Sequence, residues 1–201
     1  MTEVLIFPYN GNGFEALSCL RPDQKFIGFV DDIKEKQGKT MYGFEVFSRE
    51  ALVKYPHARV LAMPGGPQSF LGKIDSISSL KVSEERFINI IHPSSKISPY
   101  AKIGKNVLIM ANVVITANAV IEDHVCILPN SVIHHDTIIR AYSMIGAGVV
   151  VAGNTTIGAN SYIGSGSNII NNIEIGERVL VGLGSNVLKS IPSDTRVAGN
   201  P

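Results

Sequence analysis

An aliphatic residue stands at every sixth position through the second half of this chain. The series is Ile97, Ile103, Ile109, Ile115, Ile121, Ile127, Ile133, Ile139, Ile145, Val151, Ile157, Ile163, Ile169, Ile175, Val181 and Val187. An unbroken series of this length is a repeat, and a repeat dictates architecture before any single residue does. Two positions before each hit comes a smaller side chain, among them Ala101, Val107, Val113, Ala119, Val125, Ser131, Thr137, Ser143 and Val149. Glycine often follows the hit, as at Gly104, Gly146, Gly158, Gly164, Gly176 and Gly182, which predicts tight turns with unusual backbone angles there. The unit is a short flat strand and a turn. Three units close a triangular coil, so that residues 18 apart stack on successive coils and each coil covers the edge of the next. Right-handed β-helices and leucine-rich solenoids have longer or less regular periods.

The residues before the repeat read differently. Strands are expected at 4–7, 26–30 and 59–63, helices at 14–20, 48–55 and 68–80, and a final strand at 87–91. Alternating strands and helices argue a small Rossmann-like α/β sheet over residues 1–90, with the repeat occupying 91–201. The turn-rich stretch Pro8-Tyr9-Asn10-Gly11-Asn12-Gly13, the pair Asp31-Asp32 and the run Pro64-Gly65-Gly66-Pro67 follow the three strands. They gather on the edge where open α/β sheets take their ligands.

Charge narrows the function classes. Lys and Arg total 18 against 17 for Asp and Glu, so the chain lacks the basic surplus of a nucleic-acid binder. Two cysteines, Cys19 and Cys126, make neither a disulfide framework nor a metal-ligand pattern and fit a reducing compartment. The opening MTEVLIFPYN lacks the basic region of a signal peptide, and no apolar run is long enough to span a membrane. A cytoplasmic enzyme or binding protein is expected.

GFVDD at 28–32, IHPSSKISPYAKIG at 91–104, SVIHHD at 131–136, VAGNTTIG at 151–158 and VAGNP at 197–201 carry a resemblance over nearly the whole chain. The chain resembles the hexapeptide-repeat nucleotide-sugar acetyltransferases, the group of the sialic acid O-acetyltransferase and the bacillosamine-pathway N-acetyltransferase. The resemblance implies a left-handed parallel β-helix that takes acetyl-CoA, an N-terminal domain that takes the nucleotide-linked sugar, a homotrimer with active sites between subunits, and no metal. His135 is in register with the family's catalytic base, and Asp136 resembles its acidic partner. By analogy, Met144, Gly153, Ser165 and Leu183 would touch acetyl-CoA. Met144 stands where the family carries a second histidine. Asn10, Gly11 and Asn12 match the loop that cradles the sugar nucleotide, and Asp31 and Asp32 match the acidic pair beside it; Gly65 lies on the same edge.

Residue chemistry agrees with the resemblance. An amine that attacks a thioester must lose a proton, and imidazole, which titrates near neutrality, can take it. One coil beyond His135 stands Gly153, whose N–H is a candidate oxyanion donor. Gly146-Ala147-Gly148, Gly164-Ser165-Gly166 and Gly182-Leu183-Gly184 stack at a spacing of 18 as a smooth channel for a pantetheine arm. Outward positions that should be polar are apolar in two columns, Val114, Val132, Val150 and Cys126, Met144, Tyr162, Leu180, which marks interfaces. The leading expectation is N-acetylation of an amino-deoxy sugar on UDP or dTDP. O-acetylation of a sugar hydroxyl needs the same residues, and a non-catalytic scaffold is the other class. A zinc carbonic anhydrase on this kind of solenoid needs three converging histidines, for which His124, His134 and His135 are poorly spaced.

Overall fold

The computed structural model describes residues 1–38 and 40–201, of residues 40 and 41 the backbone alone. The repeat folds into three flat parallel sheets of two-residue strands. The first face stacks Ile90–Ile91, Leu108–Ile109, Cys126–Ile127, Met144–Ile145, Tyr162–Ile163, Leu180–Val181 and Arg196–Val197. The second stacks Lys96–Ile97, Val114–Ile115, Val132–Ile133, Val150–Val151, Asn168–Ile169 and Asn186–Val187. The third stacks Lys102–Ile103, Val120–Ile121, Ile138–Ile139, Thr156–Ile157 and Glu174–Ile175. Paired residues are 18 apart, as in Val114↔Val132 and Ile115↔Ile133. This is the expected left-handed β-helix.

The second residue of each strand points inward, and from Ile109 to Val187 that column is buried. The smaller inward column includes hydroxyls, which burial would penalise if they were unpaired. They are paired: Ser131 Oγ donates to Gly146 O at 2.7 Å, Ser143 Oγ to Gly158 O at 2.8 Å and Ser161 Oγ to Gly176 O at 3.0 Å, each 15 residues on.

The turns differ from expectation in one respect. The glycines directly after the aliphatic residues are not left-handed. A Cβ on Gly146 would stand 2.5 Å from Ser165 N of the next coil, so packing excludes a side chain there. Positive φ falls two residues later, at Gly148, Gly166 and Gly184 and in the same series at Asn106, Asn112, Asn118, Asn130, Asp136 and Asn154. Asn and Asp tolerate that region better than other side chains. The period fails only at the end, where Ile175 bridges Ile191 and Leu180 pairs Arg196, both 16 apart.

The N-terminal strands are β1 (Thr2–Phe7), β2 (Gln24–Val30), β3 (Thr40–Met41), β4 (Phe44–Phe47) and β5 (Arg59–Ala62), in sheet order β3-β4-β2-β1-β5. All pairs are parallel except β3 with β4, a hairpin that hydropathy alone does not announce. Three short helices, α1 (Gly11–Glu15), α2 (Glu50–Lys54) and α3 (Lys73–Ser78), join them. The strand expected at 87–91 divides: Phe87 makes a lone bridge to Val60, and Ile90–Ile91 is already the first rung of the β-helix.

One apolar cluster runs from β1, β2 and β5 through Phe70 to Ile90, Leu108, Met110, Cys126 and Met144, with Tyr162 and Leu180 at its margin. The outward column of the first face is therefore covered by the chain's own N-terminal sheet. Two columns looked alike as interface candidates, and for this one the covering partner is internal. The corner between the third and first faces is bolted to that sheet and to the turn that follows it. Asn106, fully buried, accepts from Ala62 N and donates to Ala62 O, both at 2.8 Å, and Asn160 Nδ2 donates to Leu71 O at 3.1 Å.

Candidate active site

His135 and Asp136 form the turn between the second and third faces, and Asp136 is its left-handed residue. His135 Nδ1 lies 2.8 Å from Asp136 Oδ2. An ionised carboxylate only accepts, so Nδ1 carries a proton, and in the neutral ring it is Nε2 that keeps the lone pair. Asn118, one coil earlier in the same column, donates to Asp136 Oδ1 at 3.1 Å. These two hydrogen bonds, from His135 first and Asn118 second, hold the Asp136 carboxyl below the usual carboxylate range. Asn118 was not among the expected site residues, although its position 18 before Asp136 was there to be read.

The imidazole lies flat over Gly153. A Cβ at that position would stand 2.6 Å from His135 Cε1, 2.7 Å from Nε2 and 3.1 Å from Nδ1. Glycine is thus the floor on which the ring rests. Among the described residues the Gly153 N–H has no acceptor, and the His135 side chain is 55% exposed. A half-open imidazole with a free Nε2 beside an unclaimed N–H is equipped to take a proton and to receive developing negative charge.

The other expected acetyl-CoA residues lie elsewhere. Ser165 and Leu183 project from the glycine-flanked turns on the corner between the first and second faces. Ser165 Oγ accepts from Ala147 N at 3.1 Å, and Leu183 is 82% exposed. Met144 is removed from the set: it is buried on the first face, where Gly65 packs against its sulfur. The faces that meet at the His135 corner both carry half-exposed apolar residues, Val114, Val132 and Val150 on the second and Val120 and Ile138 on the third.

His124 is at a different corner from His134 and His135. Its ring is buried, accepts at Nδ1 from Asn106 Nδ2 at 2.9 Å, and stacks on Tyr142 at 4.5 Å between centroids. Burial pulls it down to about 4. The three histidines do not converge.

In the N-terminal sheet the expected residues come together at the ends of β1, β2 and β5, but most are committed to one another. Asn10 caps α1, accepting from Gly13 N at 2.8 Å, and donates to Met63 O at 3.2 Å. Asp31 is buried and accepts from Tyr9 N, Ile33 N and Lys36 Nζ at 3.0, 2.9 and 3.1 Å. Asp32 forms a two-point pair with Arg49, one arm at 2.7 Å. Gly11 faces open space and Asn12 is half-exposed. Asn10 and Asp31 therefore shape the loop, and Gly11 and Asn12 are the members still free to meet a ligand.

This sheet sits on the first face, whereas His135 is on the corner opposite that face. One chain cannot bring its N-terminal loops to its own His135. No helix of the described residues is long and apolar enough to cross a membrane.

Residues 118–153 match the bacterial transferase hexapeptide family, described as six repeats. The acetyltransferase domain of PglB from Neisseria gonorrhoeae, solved with acetyl coenzyme A, is 26% identical with a TM-score of 0.83, covering 99% of this chain and 97% of that one. GDP-perosamine N-acetyltransferase from Caulobacter crescentus, solved with CoA and GDP-perosamine, is 23% identical with a TM-score of 0.86 over 99% and 94%. WeeI from Acinetobacter baumannii is 24% identical with a TM-score of 0.85 over 100% and 98%. The last two establish likeness of fold. No curated protein matches the chain.

Proposed function

We propose that this chain, a hexapeptide-repeat acyltransferase, moves the acetyl group of acetyl-CoA onto the amine of an amino-deoxy sugar carried on UDP or dTDP. The observation that carries the reading is the His135 ring, held by Asp136 and resting on Gly153 with Nε2 free. The sugar amine attacks the thioester carbonyl, His135 Nε2 takes the amine proton and passes it to the departing sulfur, the C–S bond breaks, and CoA leaves as the thiol. Gly153 N–H stabilises the charge that develops on the thioester oxygen. Asp136 fixes the tautomer, and Asn118 fixes Asp136.

Residues 1–90 hold the nucleotide sugar and residues 91–201 hold acetyl-CoA, in a cytoplasmic homotrimer. The assembly is supported by the distribution of the parts. His135 and Gly153 are on one corner, Ser165 and Leu183 on another, and the acceptor loops sit over a face away from His135. A second copy, laid along the apolar second face, supplies what the first lacks. Acetyl-CoA then runs between the Ser165–Leu183 corner of one chain and the His135 corner of its neighbour. The acetyl-CoA complex of the Neisseria gonorrhoeae domain supports the donor.

Purified protein incubated with acetyl-CoA and a panel of nucleotide-linked amino and hydroxyl sugars tests the reading. Release of CoA with an amino sugar, abolished by His135→Ala, is expected. Turnover with hydroxyl sugars alone would make it an O-acetyltransferase. Wild-type inactivity with every acyl-CoA would make the fold a scaffold.

A further inference from the structure

Lys73 is the charged side chain that this chemistry leaves without a task. It opens α3, yet it has no exposed surface, and its Nζ has no hydrogen-bond partner among the described residues. Ammonium groups stay in water or find a partner, because a bare charge in an apolar interior is very costly. This one is sealed between the N-terminal sheet and the first face of the β-helix.

Its location gives the charge a direction in which to act. A Cβ on Gly65 would meet Lys73 Cδ at 3.9 Å and Met144 Sδ at 3.1 Å, so the loop after β5 rests directly on the lysine stem. The loop after β1 is tied to the same place by the bond from Asn10 Nδ2 to Met63 O. The titratable groups around the ammonium are Cys126 on the first face and His124 at the adjoining corner, with Cys19 and Glu15 of the α1 segment coupled to Cys126. Burial pushes Cys126 up to about 11 and pulls His124 down to about 4, so both are neutral near pH 7. Of the carboxylates in this neighbourhood, Glu15 is exposed to water, and Asp123, coupled to His124, accepts a hydrogen bond from Lys105 N at 2.7 Å. The fold therefore stores a cation beneath its acceptor loops without an anion of its own.

We propose that Lys73 is the buried counter-charge for the diphosphate of the nucleotide sugar, acting through the loop after β5 without touching the ligand. The proposal rests on the reading of the N-terminal loops as the acceptor site. A charge shielded from water and salt keeps its field over distances at which a surface lysine is screened out. Desolvation brings the Lys73 ionisation down to about 8. An anion bound nearby raises it again, so binding is strongest below pH 8 and weakens as the pH rises through the ionisation of the complex. Neither Cys126 nor His124 changes charge in that window.

The test is calorimetric binding of UDP, dTDP and GDP to the whole protein at several pH values from about 7 to 8.5, where their phosphates remain ionised and their bases keep their ring protons. The wild type is expected to lose about threefold in affinity across that range, and Lys73→Met to bind about tenfold more weakly at the low end with no pH dependence. Acetyl-CoA binding should be equal in both. Nucleotide affinity of the wild type that is flat with pH, or identical in Lys73→Met, overturns the proposal and leaves the acceptor site standing. No binding of any of the three nucleotides overturns both. The wild-type profile decides even if Lys73→Met does not fold.

Discussion

Gly153→Ala adds one methyl group directly under the His135 ring. The new Cβ would stand 2.6 Å from Cε1 and 2.7 Å from Nε2, against an ordinary carbon contact of about 3.6 Å. The ring must therefore withdraw by about 1 Å. It cannot do so and keep its 2.8 Å bond to Asp136, whose carboxylate is itself held by Asn118 and by the left-handed turn. A misplacement of about 1 Å in a reacting group costs about 100-fold in rate. Stability should barely change. Position 153 does not require positive φ, and the displaced ring is already half in water, so the penalty stays below about 0.5 kcal/mol. Steady-state kinetics with both substrates varied should show kcat reduced about 100-fold, with the melting temperature preserved. Alanine keeps the backbone N–H, so the loss reports the position of the imidazole and not the oxyanion donor. In a His135→Ala background the same substitution should then be nearly silent, because the group it displaces is gone. Wild-type kcat in Gly153→Ala, or a full additional loss in the double variant, would refute the argument.

Three further outcomes follow from other parts of the molecule. If each site takes the two residues from different copies, as proposed, co-assembled His135→Ala and Leu183→Arg chains, each inactive alone, should recover a fraction of wild-type turnover; no recovery in mixed assemblies counts against a shared site. Lys73→Met should stabilise the protein at pH 7. The folded-state ionisation at about 8 lies below the ordinary 10.5, so the unfolded chain holds the proton more tightly and the penalty is full below pH 8. It amounts to about 3 kcal/mol and fades as the pH rises from about 8 to 10.5, which urea unfolding of both proteins at pH 7 and pH 10 would measure. Asn106→Ala removes both bonds to Ala62 and leaves two buried backbone groups unpaired, so it should destabilise by about 3 kcal/mol, read by the same unfolding experiment.

The β-helix was legible because one strong rule, an inward aliphatic at every sixth place, is enforced at every coil. The same register carried His135 to Gly153 and would have carried Asp136 to Asn118. Its glycines were harder. A residue can be glycine because its backbone is left-handed or because a neighbour's backbone is too close, and sequence does not separate Gly148 from Gly146. The apolar columns posed a similar problem. Outward valines at 114, 132 and 150 and outward Cys126 and Met144 have the same hydropathy, and only folding reveals which are covered from within the chain. In the N-terminal sheet, Asn10 and Asp31 were found as a cluster, but a side chain that shapes a loop and one that meets a ligand are chosen from the same polar residues. Lys73 gave no signal, since a lysine opening a short helix is ordinarily exposed.

The coil of three six-residue strands also restricts how the protein can change length. Inserting six residues between Val120 and Ile133 would turn everything beyond by a third of a circle, carrying His135 from its own corner to the next. Inserting 18 would restore its angular address and lift it by one strand spacing, about 4.8 Å. The His135 corner can be moved along the axis only in such whole steps. Changes of length between relatives of this fold should therefore come in whole coils wherever the corner is kept, as on a ruler with a single graduation.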